Sequence, residues 1–232
     1  MIQHSTKYFL ARTRDEGGEN ATGELLFFVD DDNVLNRNAI AELVEKYLSA
    51  ERIGLLEPIM YDSNGRLWFY GSKASWISPN PKSMLQEKTK EELIETDSIP
   101  NVYMVSKLVF KKVGGENWRV FRSHHSELDL VQRLKAIGLK SYIYTKAKTV
   151  YDYGSKSGHV SLLRMHDTIK SDMIIEKCYA PCGRYVLFLF FFIPAHFLLH
   201  TLIYIPKTDR KKEFYKAYFD GLREGLKYKV IS

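Results

Sequence analysis

The apolar positions 25–29, Leu-Leu-Phe-Phe-Val, run without alternation between Gly23 and Asp30. A short continuous run of this kind predicts a strand buried on both faces, as in a parallel sheet. Past Asp32 the period lengthens. Ala39, Ile40, Leu43, Val44, Tyr47 and Leu48 fall on one face of a helix over 37–49, with Asn36 in the N-cap place. A second strand is expected over 53–56, stopped by Pro58. The turn signal Asp62-Ser63-Asn64-Gly65 leads to a returning strand over 67–70. Residues 72–99 are polar, contain Pro79 and Pro81, and read as a long surface excursion with a short helix near 90–95. A strand at 102–105 follows, then a helix over 108–113 ended by Gly114-Gly115. Ser126 opens a helix through 137, with Asp129 at the capping-box position and Gly138 just past the end. The segments 142–144 and 149–151 look extended. Strands alternating with helices predict an α/β domain.

The pattern changes after Gly183. Residues 185–205 are 21 positions without a formal charge, long enough to cross a bilayer. Pro194 lies mid-run, so a kinked, in-plane or re-entrant helix is an alternative to a span. Arg184 stands before the run, and Lys207, Arg210, Lys211 and Lys212 after it, so the positive-inside rule gives no clean orientation. Phe214, Tyr218, Leu222, Gly225 and Leu226 lie near one face of a basic amphipathic helix. Three regions follow: a domain over 1–160, a helical connection over 161–183, and a membrane-associated region over 184–232.

Composition narrows the classes. The chain has 232 residues, of which 45% are apolar and 27% charged, which permits a packed core and excludes wholesale disorder. A net charge of +6 suits a nucleic acid, an anionic membrane or a phosphorylated substrate. The nucleic-acid reading is set aside, because no aromatic-interleaved basic stripe precedes residue 150. Two cysteines, Cys178 and Cys182, exclude a disulfide framework and a four-cysteine zinc site, and read as reduced cytosolic thiols. Residues 1–14 lack the apolar core of a secretion signal.

The sharpest candidate chemistry is Asp30-Asp31-Asp32 at the carboxyl end of the first strand. Three adjacent carboxylates repel one another unless a cation lies among them, and hard oxygen ligands suit Mg2+ or Mn2+. Carboxyl ends of strands are also where α/β sheets bind ligands. The plainer reading is that they favour the next helix's N-terminus, a job for which Asn36 is better placed. The second candidate is 126–133, Ser-Glu-Leu-Asp-Leu-Val-Gln-Arg. Capping explains Asp129; Glu127 at the lip of a cleft is able to take a proton from an attacking hydroxyl. His124 and His125 precede that helix as metal ligands, substrate contacts or surface residues. Trp118 and Phe121 either stack on a sugar or belong to the core. His196 and His200 have metal-ligand spacing but lack a third partner nearby, and read as a polar stripe.

Taken together, these segments resemble family 2 glycosyltransferases. Residues 14–24, Arg-Asp-Glu-Gly-Gly-Glu-Asn-Ala-Thr-Gly-Glu, followed by the strand and Asp30-Asp31-Asp32, are similar to that family's Arg-Asn-x-Gly, Ala-x-Gly-Glu and Asp-x-Asp sequence. Residues 102–115 resemble its acceptor-side strand, helix and glycine, and 126–133 its Glu-Asp-x-Asp-Leu-x-x-Arg segment. The likeness covers roughly residues 8–153. It implies a GT-A-like fold, a mixed and mostly parallel sheet flanked by helices, here with a C-terminal apolar helix. It implies an inverting, hexosyltransferase-type transfer from a nucleotide-sugar donor to a hydroxyl of a glycan, polysaccharide or lipid-linked acceptor, assisted by Mn2+ or Mg2+. Arg14, Asp15, Asp30 and Asp31 fall to the donor. Asp30, Asp32 and Asp152 fall to the metal, with Asp152 near a position where many members carry histidine. Glu127 stands where the family has its catalytic aspartate, one methylene longer, and Trp118, His125 and Asp129 lie on the acceptor side. Asp15 replaces the usual asparagine. The family's first strands have no room before Asp30, so a fragment, a mis-set start, or a split enzyme whose partner chain supplies them is expected. A non-catalytic subunit that binds a partner or membrane is the alternative. The implied location is at a membrane, with the catalytic face cytoplasmic.

Overall fold

The computed structural model describes residues 8–75, 78–84, 91–99, 101–152, 162–203 and 205–230. They form two compact units, one of residues 1–74, 81–119 and 126–157, the other of residues 75–80, 120–125 and 158–232.

The first unit is built on a mixed seven-stranded sheet. In chain order its strands are β1 (Leu25–Val29), β2 (Asn33–Leu35), β3 (Ile53–Asp62), β4 (Leu67–Phe69), β7 (Leu93–Thr96), β8 (Val102–Ser106) and β9 (Lys140–Tyr151), while β5 (Ser72–Lys73) and β6 (Lys82–Ser83) pair separately. The main order is β1-β8-β3-β9-β2. The two longest strands, β3 and β9, are parallel along most of their length. β8 lies antiparallel between β1 and β3, so β1, β3 and β9 share one direction. Short antiparallel strands complete the sheet, with β7 on the first half of β9 and β2 on its second half.

Helices cover both faces. Alternation along the strands sends Leu55, Tyr103 and Val105 toward α3 (Lys107–Lys112) and α4 (Ser126–Ala136), where they pack on Phe110, Leu130, Val131 and Leu134. Their neighbours Leu56 and Met104 face α2 (Ala39–Ser49) and pack on Ala39 and Leu43. This is the α/β arrangement that the sequence pattern predicts, and the mixed sheet flanked by helices that the resemblance implies.

Several details differ from expectation. The N-cap of α2 is Asn38 rather than Asn36, and Asn36 contributes its carbonyl to the Ala39 N–H. Pro58 does not stop β3. It sits at a register shift against β9, where its missing N–H breaks no regular ladder bond. The expected helix near 90–95 is strand β7 from Leu93 on, because Ile94 and Thr96 bury on one side while the backbone completes the edge of β9. The segments 142–144 and 149–151 are parts of the single strand β9. A helix α1 (Leu10–Asn20) precedes the sheet. Its composition hides it, since it holds Gly17 and Gly18 and few apolar residues. Gly18 allows the close approach: a Cβ there would lie 2.6 Å from the Phe110 ring.

The second unit is helical, with α5 (Leu162–Tyr179), a continuous helix from Cys182 to Ile203, and α8 (Lys211–Lys227). The middle helix comprises α6 (Cys182–Leu187), a π turn (Phe188–Phe192) and α7 (Ile193–Ile203). The π turn ends just before Pro194, whose ring and missing N–H forbid the regular bond one turn back. This helix is long and apolar enough to cross a membrane, and it leaves Phe190 and Phe191 72% and 70% exposed. α8 packs on α5 through Phe214 and Tyr218, against Met165 and Ile169. The expected apolar face of α8 is narrower than its sequence suggests: Leu226 is exposed, and Gly221 and Gly225 press on α5 at His166 and Met173. His196 and His200 contact one another through Nε2, and the Tyr218 hydroxyl donates to the Ile193 carbonyl at 3.2 Å.

Candidate active site

Arg14 is the centre of the site. It projects from the second turn of α1, its side chain only 5% exposed. Nη2 donates to Asp30 Oδ1 at 2.7 Å and Nη1 to Glu127 Oε1 at 2.6 Å. The Glu116 carboxylate lies 4.0 Å from the same guanidinium, and the Tyr103 ring 5.5 Å away. Burial opposes the charge on Arg14, but Glu127, Tyr103 and Asp30 outweigh it and hold the guanidinium above its usual range. The carboxyl end of β1, the start of α4 and α1 therefore meet at one cation. Three residues singled out separately in the sequence, Arg14, Asp30 and Glu127, form one network.

The carboxylates around it are crowded. Burial, with the charges of Glu127 and Asp32, pushes the Asp30 carboxyl up against the pull of Arg14. Glu116 is almost wholly buried, receives the Tyr103 hydroxyl at 2.7 Å, and is pushed up by burial and then by the charge of Glu127. Glu127 keeps a second oxygen on the Ser126 hydroxyl at 3.1 Å. Glu116 and Tyr103 were not anticipated. The one signal in the sequence was the position of Glu116 directly after Gly114-Gly115.

Asp15, next to Arg14 on α1, points elsewhere. Its Oδ1 accepts the Glu116 N–H at 2.9 Å. It lies so close to Gly115, at φ 65°, that no side chain fits there. Burial raises the Asp15 carboxyl, against the Glu116 N–H. With Glu116, Trp118, Arg119 and Arg133 it lines a surface cavity of about 300 Å³. The Trp118 ring carries the Arg12 guanidinium at 4.7 Å and that of Arg119 at 4.5 Å. Phe121, in the second unit, is 1% exposed and is core rather than a sugar platform.

The acidic turn after β1 separates its three members. Asp30 goes to Arg14, and Asp31 is exposed. Asp32 accepts Asn33 Nδ2 at 3.1 Å, and its carbonyl receives the Asp152 N–H at 2.8 Å, so Asp32 and Asp152 stand side by side although 120 positions apart in sequence. Asn33 Oδ1 is buried without a hydrogen-bond partner among the described residues. Hard oxygens and an unsatisfied amide oxygen fit a Mg2+- or Mn2+-class cation. Among the described residues Asp30, Asp32 and Asp152 do not make a three-donor cluster. That suits cations held by one or two carboxylates with substrate phosphates completing the shell.

Two predicted acceptor-side residues are engaged otherwise. Asp129 is buried and accepts Arg133 Nε at 2.8 Å, and Arg133 in turn holds the Val113 carbonyl. His125 belongs to the second unit, where Nε2 meets Asp172 Oδ1 at 2.7 Å. Burial pushes the Asp172 carboxyl up to about 7, against the pull of His124.

Comparison with known proteins agrees with this architecture. None of the curated proteins matches the sequence. Among solved structures, the chain is similar to GalNAc-T7, described with UDP, GalNAc and Mn2+, at 13% identity and TM-score 0.62, covering 96% of this chain and 44% of that one. It is also similar to S. aureus TarS 1–349, at 9% identity and TM-score 0.52, over 94% and 60% of the two chains. A mannosyltransferase from Pyrobaculum calidifontis, described with GDP-Man and Mn2+, aligns at 11% identity and TM-score 0.49, over 97% and 69%. The chain thus spans less than half the length of GalNAc-T7 and shares its fold. The family model for glycosyl transferase family 2 matches residues 1–114, just under half of the chain, and these include Arg14, the acidic triplet and the Gly114 end of α3, so this segment is similar to that family.

Proposed function

We propose that the chain is the catalytic part of a metal-assisted, inverting glycosyltransferase, moving a sugar from a nucleotide-sugar donor to a hydroxyl of a glycan, polysaccharide or lipid-linked acceptor. One observation carries this reading: Arg14 joins Asp30, at the end of β1, to Glu127, at the start of α4. Donor-side and acceptor-side carboxylates thereby flank one place. The family-model match over residues 1–114 and the UDP and Mn2+ of the solved GalNAc-T7 support it.

Glu127 receives the proton of the acceptor hydroxyl. The freed oxygen attacks the anomeric carbon from the face opposite the diphosphate, the bond from that carbon to the diphosphate oxygen breaks with its electron pair going to the oxygen, and configuration inverts. Arg14 and the Ser126 hydroxyl fix the Glu127 carboxylate through separate oxygens, which is positional preorganisation. Asp30 and Asp31 are assigned to the donor's ribose, and Asp15 and Trp118 to the cavity they share. Asp32, with Asp30 and Asp152, would hold the divalent cation, whose chemistry when bound is to offset charge on the departing diphosphate.

The exposed apolar helix Cys182–Ile203 supports attachment to a membrane, with the catalytic face taken to be cytoplasmic. The test is a nucleoside-diphosphate titration with and without Mn2+. Binding should strengthen with Mn2+, and Asp32→Ala should abolish the strengthening while leaving the fold intact. Nucleotide binding indifferent to both would overturn the metal assignment, and intact binding without sugar transfer to any acceptor or to water would make the chain a binding module.

A further inference from the structure

We propose that His124, His125 and Asp172 form a binding site for a zinc-class divalent cation, separate from the hard-cation site assigned to Asp32. One donor atom from each of the three lies within 4.8 Å of the others, a grouping not found elsewhere among the described residues. All three residues belong to the second unit.

The neighbourhood on α5 makes the grouping specific. That helix buries three acids, Asp167, Asp172 and Glu176. Two of them have an arginine: Arg122 reaches Asp167 at 2.6 Å, and Arg184 is paired with Glu176. Asp172, its side chain 1% exposed, faces two imidazoles instead. His125 Nε2 lies 2.7 Å and His124 Nε2 3.7 Å from the same oxygen, Asp172 Oδ1. The other oxygen, Oδ2, is buried without a hydrogen-bond partner among the described residues.

Backbone conformation produces this convergence. Side chains of successive residues in an extended segment point apart. His125 has φ 66°, a conformation uncommon outside glycine, and its ring stands 3.9 Å from that of His124. Strain of this kind persists where surrounding structure over-determines it, and it collects at ligand sites. Here it sets two ring nitrogens against one carboxylate.

The donor set selects the ion. Two imidazole nitrogens and one carboxylate oxygen suit Zn2+, whereas Mg2+ prefers oxygen alone. Bonds of about 2.0–2.1 Å in a tetrahedral shell put donors roughly 3.3 Å apart, and the two distances to Asp172 Oδ1 bracket that value. His124, with 31% of its side chain exposed, gives a route in and leaves the fourth position to water. Bound there, the ion would pin the segment just before Ser126 onto α5.

The test uses the whole protein in detergent, stripped with a chelator and titrated with Co2+ alone, then with Zn2+ as competitor. One equivalent of Co2+ should give the intense visible absorption of a tetrahedral site, Zn2+ should quench it, and Zn2+ should raise the unfolding temperature. Asp32→Ala should keep all three responses. His124→Gln, a change at the most exposed ligand, should weaken Co2+ by more than the roughly 10–100-fold that outer-shell changes cost. A wild type with no visible band and no Zn2+-dependent stabilisation would overturn the proposal without any variant. So would an unchanged Co2+ affinity in both His124→Gln and Asp172→Asn, which would leave a purely hydrogen-bonded His–Asp cluster.

Discussion

Arg14→Met is the most informative single change in the first unit. Methionine keeps much of the volume and removes the charge, so Asp30, Glu127 and Glu116 are left facing one another. A surface ion pair would cost about 0–1 kcal/mol to lose. This one is not at the surface: Arg14 is 5% exposed on its side chain, Asp30 20% and Glu127 18%. Removing one partner of a buried pair costs about 3–5 kcal/mol, and the partial exposure of the two acids places the expected loss near 3 kcal/mol. The sign of the pH dependence follows from proton binding. Without Arg14 the carboxylates repel, so the folded variant holds protons to higher pH than the unfolded chain does. Stability relative to wild type is then recovered as pH falls from 7 toward about 5, through the raised folded values and toward the unfolded ones near 4. Urea unfolding of wild type and variant at both pH values measures this. Adding Glu127→Gln to the variant should restore stability, with a coupling of about 0.5–3 kcal/mol. A loss under about 1 kcal/mol at pH 7 would show that the network is solvated. A loss of 3 kcal/mol that ignores pH would assign the effect to packing.

Three further outcomes are expected. Glu127→Gln should lower sugar transfer by about a hundredfold to ten-thousandfold while nucleotide affinity in Mn2+ stays near wild type; near-normal transfer would make Glu127 only the anchor of Arg14. Phe190→Asp with Phe191→Asp should release the protein from membranes in flotation without lowering its unfolding midpoint, since both rings are exposed; continued flotation in high salt would place the anchor elsewhere. Gly221→Ala should destabilise the second unit by about 1–3 kcal/mol, because the added methyl meets the His166 carbonyl on α5; an unchanged midpoint would mean that α5 and α8 separate easily.

What was legible in the sequence divides along physical lines. The bounds of β1 match the five-residue apolar run ended by three aspartates, but its setting does not match the expectation: it is an edge strand, antiparallel to β8, with Leu26 buried and Val29 exposed rather than buried on both faces. α4 was read to within a residue, its end fixed by Gly138 at φ 80°. Elements that depend on a partner for their identity were not read. β7, Leu-Ile-Glu-Thr, follows a Lys- and Glu-rich run whose composition reads as helix, and is a strand because β9 offers an open edge. β3 runs through Pro58 because a register shift absorbs the proline. α1 has too little apolar surface to announce itself and is held by Gly18 on Phe110.

The site divides in the same way. A motif reports which residue types occur and in what order, and it singled out Arg14, Asp30 and Glu127 one by one. It does not report direction. Arg14 and Asp15 are adjacent, yet about 100° of helical rotation sends one to Asp30 and Glu127 and the other to the Glu116 N–H. Asp30 and Asp32 are two apart, yet a turn sends the first to Arg14 and sets the second beside Asp152. Beyond its place after Gly114-Gly115, nothing local marks Glu116, because a buried acid is costly wherever no partner offsets it, and its partners, Tyr103 and Arg14, come from 13 and 102 positions away. A single cation facing three carboxylates is an arrangement a fold maintains at some expense in stability. That expense is intelligible if the same carboxylates are needed where a proton and a phosphate must be handled together, which is the chemistry proposed for this chain.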